Sequence, residues 1–94
     1  MRKTRPCLVV TSDTLNQRRR TVLVLPLSTT SPKQRPLYVP LPSISRDSQA
    51  VVDQLRVIDR SRLGDLFGRA TEREMQQVSD ALLLVLAIDL PTLA

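Results

Sequence analysis

The sequence predicts a small α+β domain, in which an antiparallel sheet curls into a small barrel and one C-terminal helix packs against it. Three observations predict this fold class. Before Thr71, short runs of β-branched and aliphatic residues alternate with segments rich in proline and polar residues. The hydrophobic period then changes from that of strands to that of a helix. The 94 residues suit one domain, which we expect to span residues 1–94.

The first three strands are predicted from apolar runs. Residues 6–11 and 21–27 are continuous and β-branched, as in buried strands, and residues 37–41 form a shorter alternating run. A polar, turn-rich loop at 12–20 joins the first two strands. Pro26 predicts an edge position or a bulge near the end of the second strand, since proline cannot donate a hydrogen bond to the neighbouring strand.

The next segments are shorter and more polar. Residues 50–58 are expected to form one or two short strands with a break near Asp53, because polar residues interrupt the apolar run there. Residues 59–64 are predicted to form a short helical turn that ends at Gly64, and residues 65–70 a last short strand.

A helix is predicted to begin at Thr71. Thr71 and Glu74 have the T-x-x-E spacing of a capping box, in which each side chain accepts a hydrogen bond from the backbone of the other. The apolar residues that follow recur at three and four positions, on one face of a helix: Met75, Val78, Leu82, Val85 and Leu86. Residues 81–88 are apolar on all sides, which favours burial against more than one surface, as in a dimer. Pro91 ends the helix.

Basic residues are concentrated near the N-terminus. The net charge of the chain is +5. Residues 1–36 carry eight basic residues and one acidic residue, a net charge of +7, whereas residues 37–94 carry six and eight, a net charge of −2. Such an excess attracts nucleic acid. A solvated basic surface without a partner is the alternative explanation.

The residue types that the chain lacks disfavour several kinds of site. There is no histidine and one cysteine, Cys7, so the usual acid/base group near pH 7 and most zinc or transition-metal sites are disfavoured, and we expect no cofactor. Tyr38 and Phe67 are the only aromatic residues, too few for a base-stacking platform. A lone cysteine also favours a reducing compartment such as the cytoplasm. The apolar runs are too short for a signal peptide or a membrane span, so we expect no membrane partner.

Three blocks of sequence resemble the MazF/PemK/Kid family of toxin endoribonucleases. They read RPCLVVTSDTLN, VLPLSTTS and VVDQLRVIDRSRL, and a helix rich in leucine and valine follows them. The resemblance covers residues 4–88 and is most specific in the third block. It implies an SH3-like barrel with a C-terminal helix, a fold shared with the gyrase-poisoning CcdB toxins. It also implies a homodimer that cleaves single-stranded RNA without a metal ion and is silenced by an acidic antitoxin.

The family's usual first strand, which carries a tryptophan, and the loop after it have no counterpart in this sequence. Either the chain is a naturally shortened form, or Met1 is an internal methionine of a longer reading frame. A catalytically degenerate module that only binds RNA or an antitoxin is therefore the alternative function. A gyrase poison is disfavoured, because the chain lacks the Trp-Gly-Ile ending of those toxins. A non-toxin RNA-binding protein of the translation apparatus would leave the VVDQ block unexplained.

The resemblance assigns roles to individual residues. Arg5 matches the family's catalytic arginine and would stabilise the charge of the phosphate. Ser28 falls where the family has a catalytic threonine and would donate a hydrogen bond to a phosphoryl oxygen. The expected reaction is attack of the ribose 2′-hydroxyl on the neighbouring phosphorus, which leaves a 2′,3′-cyclic phosphate. The expected substrate contacts are Thr29, Thr30, Asp53, Gln54, Arg18, Arg19, Arg20 and Lys33.

Overall fold

The structure, a computed structural model, describes residues 5–12, 17–29 and 37–87. Strands precede a single long helix in the described part of the chain, as predicted. The elements are β1 (Cys7–Val9), β2 (Thr21–Ser28), β3 (Tyr38–Pro40), β4 (Gln49–Val51), a 3-10 turn (Val52–Gln54), β5 (Arg56–Asp59), a second 3-10 turn (Arg60–Arg62) and α1 (Glu72–Ala87).

β2 is the strand around which the sheet is built. β1 lies antiparallel along one edge of it. β5 lies antiparallel along the other edge, with Val24 opposite Arg56. β4 occupies that same edge further along, with Ser28 opposite Gln49, and β3 pairs with β4 on its outer side. β1 and β3 are the ends of this path and do not pair with each other, so the described strands form an open five-stranded antiparallel sheet.

Pro26, which was predicted to lie at an edge of the sheet or at a bulge, lies in this central strand, where it pairs with Cys7 on one side and with no described strand on the other. The backbone explains why proline is tolerated there. Val10 N–H donates to Leu23 O (3.0 Å) and Leu27 N–H donates to Pro6 O (3.2 Å), so the odd-numbered residues of β2 face β1. The nitrogen of Pro26 therefore faces the other edge. On that edge β5 has ended and β4 has not begun, because the 3-10 turn lies between them, so no ladder hydrogen bond is lost.

Two predictions for the middle of the chain are confirmed and one is wrong. The break near Asp53 is the first 3-10 turn, and the predicted helical turn is the second, at Arg60–Arg62. The strand predicted at 65–70 does not form, and the backbone there has no regular structure. Leu66 and Phe67 are 76% and 77% exposed, so this short run finds neither a strand to pair with nor a core to enter.

The core lies between the sheet and α1. Its fully packed cluster consists of Leu25, Val39, Leu41, Ala50, Val52, Val78 and Ala81. The helix contributes Val78 and Ala81 to the cluster, and Leu82 and Val85 pack against it, so the predicted apolar face is confirmed at Val78, Leu82 and Val85. Leu83, Leu84 and Leu86 are 65%, 55% and 60% exposed in the single chain, so the prediction was wrong for Leu86. No described helix has the length and apolar content that would let it cross a membrane.

The capping box of α1 forms as predicted and also binds a distant loop. Thr71 N–H donates to Glu74 Oε1 (2.8 Å), and Glu74 N–H donates to Thr71 Oγ1 (3.1 Å). Glu74 is only 5% exposed, and it also accepts hydrogen bonds from the backbone N–H (2.9 Å) and the hydroxyl of Ser43. Burial works to raise the pKa of Glu74, but hydrogen bonds with Ser43 and Thr71 outweigh it and hold the pKa below its ordinary value. The carboxylate thus joins the β3–β4 loop to the start of the helix.

Candidate active site

The two residues expected to be catalytic face each other at one end of β2. Cys7 is opposite Pro26, and Leu27 N–H donates to Pro6 O, so the register continues past the end of β1. One further step places Arg5 opposite Ser28. The Arg5 side chain is exposed and Ser28 is half-buried. A guanidinium and a hydroxyl are thus held at neighbouring positions on two paired segments.

A third strand reaches the same position from the other side. Gln49, the first residue of β4, is opposite Ser28 and is 8% exposed. Arg5, Ser28 and Gln49 therefore lie side by side across three segments, and we refer to them as the terminal row. Backbone pairing holds Ser28 beside Gln49, and the hydrogen bond between Leu27 and Pro6 is the last backbone contact before Arg5. Its side chains provide one cation and two groups that can donate hydrogen bonds.

Two of the expected substrate-contacting residues lie on the first 3-10 turn. Asp53 and Gln54 are exposed, whereas Val52, the first residue of the turn, is 1% exposed and belongs to the core cluster. The buried valine anchors the turn and leaves the two polar side chains in solvent. They lie along the same edge of β2 as Gln49. Thr29 follows Ser28 directly and is exposed. Thr30 and Lys33 lie outside the described residues.

The arginine triplet lies at the opposite end of β2 from the terminal row. Arg18, Arg19 and Arg20 are exposed and directly precede Thr21, the first residue of the strand. The eight residues of β2 separate its two ends by about 23 Å at 3.3 Å per residue. The triplet and the terminal row therefore do not form one compact pocket.

An open groove of about 520 Å³ lies at this second end. It is lined by Gln17, Arg18, Arg19, Arg20, Asp59, Arg60 and Ser61. Arg60 joins its two walls, because its N–H donates to Arg20 O (2.6 Å) and its Nη1 donates to Arg19 O (3.3 Å). The acid in the groove is engaged locally: Asp59 Oδ1 accepts from Ser61 N–H (2.8 Å), and hydrogen bonds from Ser61 hold the pKa of Asp59 below its ordinary value.

Sequence reasoning missed Gln49, Arg56 and Arg60 as site candidates. Gln49 belongs to the terminal row, Arg60 lines the groove, and the Arg56 side chain is exposed on β5. Gln49 and Arg56 become candidates only because they lie opposite residues of β2, and Arg60 because it lies opposite Arg20. This register cannot be predicted from local sequence. Cys7 is half-buried, and burial raises the pKa of its thiol while the charge of Arg56 partly opposes this. Among the described residues no group of three carboxylate, thiol or imidazole side chains is arranged to hold a metal ion.

Comparison with known families identifies the class of protein. Residues 1–86 match the family described as PemK-like, MazF-like toxin of type II toxin-antitoxin systems. The chain belongs to this toxin family. The assignment confirms the resemblance seen in the three sequence blocks. No curated protein matches this MazF-like toxin by sequence.

Solved structures of MazF-like toxins share the fold. A mycobacterial endoribonuclease in complex with its cognate antitoxin is 25% identical, with a TM-score of 0.79 over 89% of this chain and 82% of that one. The Mycobacterium tuberculosis toxin MazF-mt6 is 21% identical, with a TM-score of 0.78 over 87% and 85%. A MazE–MazF structure from Deinococcus radiodurans is 24% identical, with a TM-score of 0.76 over 89% and 86%. The five-stranded sheet with its C-terminal helix is therefore the MazF fold.

Proposed function

We propose that this MazF-like toxin is an endoribonuclease that cleaves single-stranded RNA at the terminal row. The observation that carries the proposal is the position of Arg5 directly opposite Ser28, at the end of a paired ladder. Family membership supports it, as does the likeness to a mycobacterial endoribonuclease.

The proposed reaction needs the RNA's own nucleophile. The 2′-oxygen forms a bond to the neighbouring phosphorus while the bond from phosphorus to the 5′-oxygen breaks. The 2′-hydroxyl loses its proton and the 5′-oxygen gains one, so the products are a 2′,3′-cyclic phosphate and a 5′-hydroxyl. Negative charge builds up on the phosphoryl oxygens in the transition state, and catalysis consists mainly of stabilising that charge.

The terminal row supplies groups suited to this task. Guanidinium groups stay charged across the physiological pH range and match the geometry of a phosphate, so we assign charge stabilisation to Arg5. Ser28 donates a hydrogen bond to a second phosphoryl oxygen. Thr29, Asp53 and Gln54 lie near the row on the same end and edge of β2, and we assign them contacts to the RNA. We assign backbone contacts to the arginine triplet, and Thr30 and Lys33 keep the substrate-binding role implied by the family.

An acidic antitoxin and a second copy of the chain are the proposed protein partners. Related toxins are known in complex with antitoxins. The exposed leucines of α1, at positions 83, 84 and 86, present an apolar surface of the kind that a second copy would cover.

Cleavage of a labelled single-stranded RNA in the presence of EDTA tests this function. The wild-type protein should produce fragments with a cyclic phosphate end, and it should leave DNA of the same sequence uncut. Arg5→Ala should slow cleavage by about 100-fold or more, whereas Arg73→Ala, which removes an exposed arginine from α1, should not change it.

Three outcomes would go against the proposal. Failure of the wild-type protein to cut any RNA while still binding it would favour the module that only binds. Cleavage unchanged in Arg5→Ala would show that the terminal row is not the active site. Loss of cleavage on adding EDTA would point to a metal-dependent reaction.

A further inference from the structure

We propose that Arg56 and Arg60 bind the phosphate backbone of the RNA that flanks the cleaved bond, along the face of the sheet that points away from α1. The inference rests on the proposed function. It adds two residues that bind RNA, and it gives the direction in which the RNA lies on the sheet and the length of RNA that is bound. Its basis is the register of β2 with β1 and β5.

The register decides which side chains share this face. Leu25 and Leu27 of β2 pack in or against the core beneath α1, so the alternate residues of the strand point the other way. Residues directly opposite one another on paired strands share a face. The opposite face of the sheet therefore carries Arg5 beside Ser28, Cys7 beside Pro26, Arg56 beside Val24, Ile58 beside Val22, and Arg60 beside Arg20.

Arginines recur on this face at a regular interval. Arg56 lies opposite Val24 of β2, and the register continued beyond the paired residues places Arg5 opposite Ser28 and Arg60 opposite Arg20, directly before β2; we refer to these three arginines as the arginine line. Successive members are four positions apart along β2, which is about 13 Å. All three side chains are exposed. The charge of Arg56 acts on the Cys7 thiol of β1, so Arg56 lies on the way to Arg5.

The surface between these arginines favours a polyanion. Among the described residues of β1, β2 and β5, none on this face carries a carboxylate. Asp59 lies opposite Thr21 and so points to the other face. Val22 and Val24, between the arginines, are 2% and 3% exposed, so neighbouring atoms cover them and the arginine side chains are the groups that reach solvent. An evenly spaced set of cations suits a chain with one charge per unit, and guanidinium groups bind phosphate bidentately.

The length of the arginine line predicts how much RNA it contacts. The line spans about 26 Å from Arg60 to Arg5, which accommodates up to about eight nucleotides at 3.4 Å per stacked nucleotide. A short RNA held at the terminal row would reach Arg56 but not Arg60. The open groove at the arginine triplet would then hold the end of a longer RNA.

Binding of non-cleavable RNA tests the arginine line separately from catalysis. Single-stranded RNAs of 4 and 12 nucleotides, with a 2′-deoxy sugar at the scissile position, would be titrated by fluorescence anisotropy at several salt concentrations. Arg60→Gln should weaken binding of the long RNA about tenfold at 0.1 M salt, lower the slope of log K against log salt by about one, and leave the short RNA unchanged. Arg56→Gln should weaken binding of both.

Controls separate charge from folding. Arg73→Gln removes an equal charge from α1 and should bind both RNAs as the wild type does. Arg60→Lys keeps the charge and should retain the salt slope. Arg19→Gln, in the exposed triplet, should reproduce the length-dependent effect even if Arg60→Gln lowers stability.

Equal binding of both RNAs by Arg56→Gln, Arg60→Gln and Arg73→Gln would overturn the inference. So would an outcome in which the same variants lose affinity for a poly-glutamate peptide but not for RNA, which would assign the line to an acidic protein partner. If the wild-type protein binds but never cuts RNA, the proposed function fails while the length dependence still decides the role of the arginine line.

Discussion

The two ends of β2 differ in what holds them and in what they offer. Towards the Ser28 end the strand pairs with β1 on one edge and with β4 on the other, and the core and α1 lie beneath it, so Ser28 and Gln49 are held by the sheet and Arg5 directly precedes it. At the Thr21 end exposed arginines surround an open groove that is joined mainly by hydrogen bonds of Arg60. Chemistry requires fixed geometry, whereas attraction of a charged backbone does not. The difference indicates that the two ends have separate roles. We refer to the Ser28 end, where cleavage is proposed, as the reacting end, and to the Thr21 end, where binding of the RNA backbone is proposed, as the holding end.

Substitution at each end should therefore change a different kinetic constant, and this is the largest effect that we expect. Arg5→Ala removes charge stabilisation from the transition state and should lower kcat by about 100- to 1,000-fold with little change in KM. Arg20→Ala removes a cation from the holding end and should raise KM about tenfold while kcat stays within about twofold. Single-turnover cleavage at saturating and subsaturating protein separates the two constants. A fall in kcat for both variants would contradict the division.

Glu74 supports the reacting end, and its loss should reduce stability strongly. Glu74→Ala removes the acceptor for two backbone N–H groups, of Thr71 and Ser43, and for the Ser43 hydroxyl, in a buried setting. We expect the free energy of unfolding to fall by about 2–3 kcal/mol, measured by urea denaturation. Glu72→Ala is the matched control, because Glu72 is exposed and lies two residues before Glu74 in the same helix. This substitution should lower the free energy of unfolding by less than about 0.5 kcal/mol. Equal losses in the two variants would show that the network is not stabilising.

The same carboxylate should make stability depend on pH in acid. Since its folded pKa lies below the ordinary value of 4.5, the unfolded chain takes up the proton first as the pH falls. The stabilisation from Glu74 is complete above pH 4.5 and is lost as the pH falls through the lower folded pKa. In Glu74→Gln this contribution to the pH dependence should vanish, which thermal unfolding between pH 3 and 7 would measure. A constant difference in Tm between the two proteins over that range would contradict the assignment.

Substitution of an exposed leucine of α1 should have a smaller effect, on self-association. α1 packs on β3 and the first 3-10 turn, both on the reacting half of the sheet. Leu83→Gln should weaken self-association about tenfold, because it replaces apolar area that a second copy would bury. Sedimentation equilibrium measures the change, with Gln77→Ala on the exposed side of the helix as control. A wild-type protein that stays monomeric at high concentration would remove α1 as a dimer surface.

The smallest expected effect is a change in the reactivity of the Cys7 thiol, which depends on the position of Arg56. Burial raises the pKa of the thiol and the charge of Arg56 opposes this, so Arg56→Gln should raise the pKa further. The thiolate fraction at pH 8 then falls, and alkylation by iodoacetamide should slow about two- to threefold. Arg73→Gln serves as the control. Faster alkylation in Arg56→Gln would mean that this arginine covers the thiol rather than acting on it through charge.

Local sequence patterns predicted the elements that depend only on residues close together in the sequence. The Thr71–Glu74 capping box depends on four consecutive residues, and it forms with the expected hydrogen bonds. The strand runs that begin near Pro6 and Thr21 were also found, because β-branched residues determine them. The strand predicted at 65–70 failed because a strand needs a partner, and no neighbouring strand is available to Leu66 and Phe67 in the described part of the sheet.

Residues that depend on register were not accessible from the sequence. Arg5 and Ser28 were proposed from family resemblance, and their separation of more than twenty residues carries no sign that they face each other. Gln49 and Arg56 were missed for the same reason, since each becomes a candidate only once its partner on β2 is known. Pro26 shows the converse: its lack of an N–H was recognised, but the gap that accommodates it is formed by a turn far along the chain.

That gap has a consequence for how sequences of this fold can change. A residue inserted within β2 would shift every side chain beyond it to the opposite face, and so would separate Arg5 from Ser28 or Arg60 from Arg20. A residue inserted between Asp53 and Gln54, beyond the buried Val52, would lie outside the paired strands, and β4 and β5 would keep their own registers with β2. Length variation is therefore expected at the turn, while the eight positions of β2 are expected to keep their number.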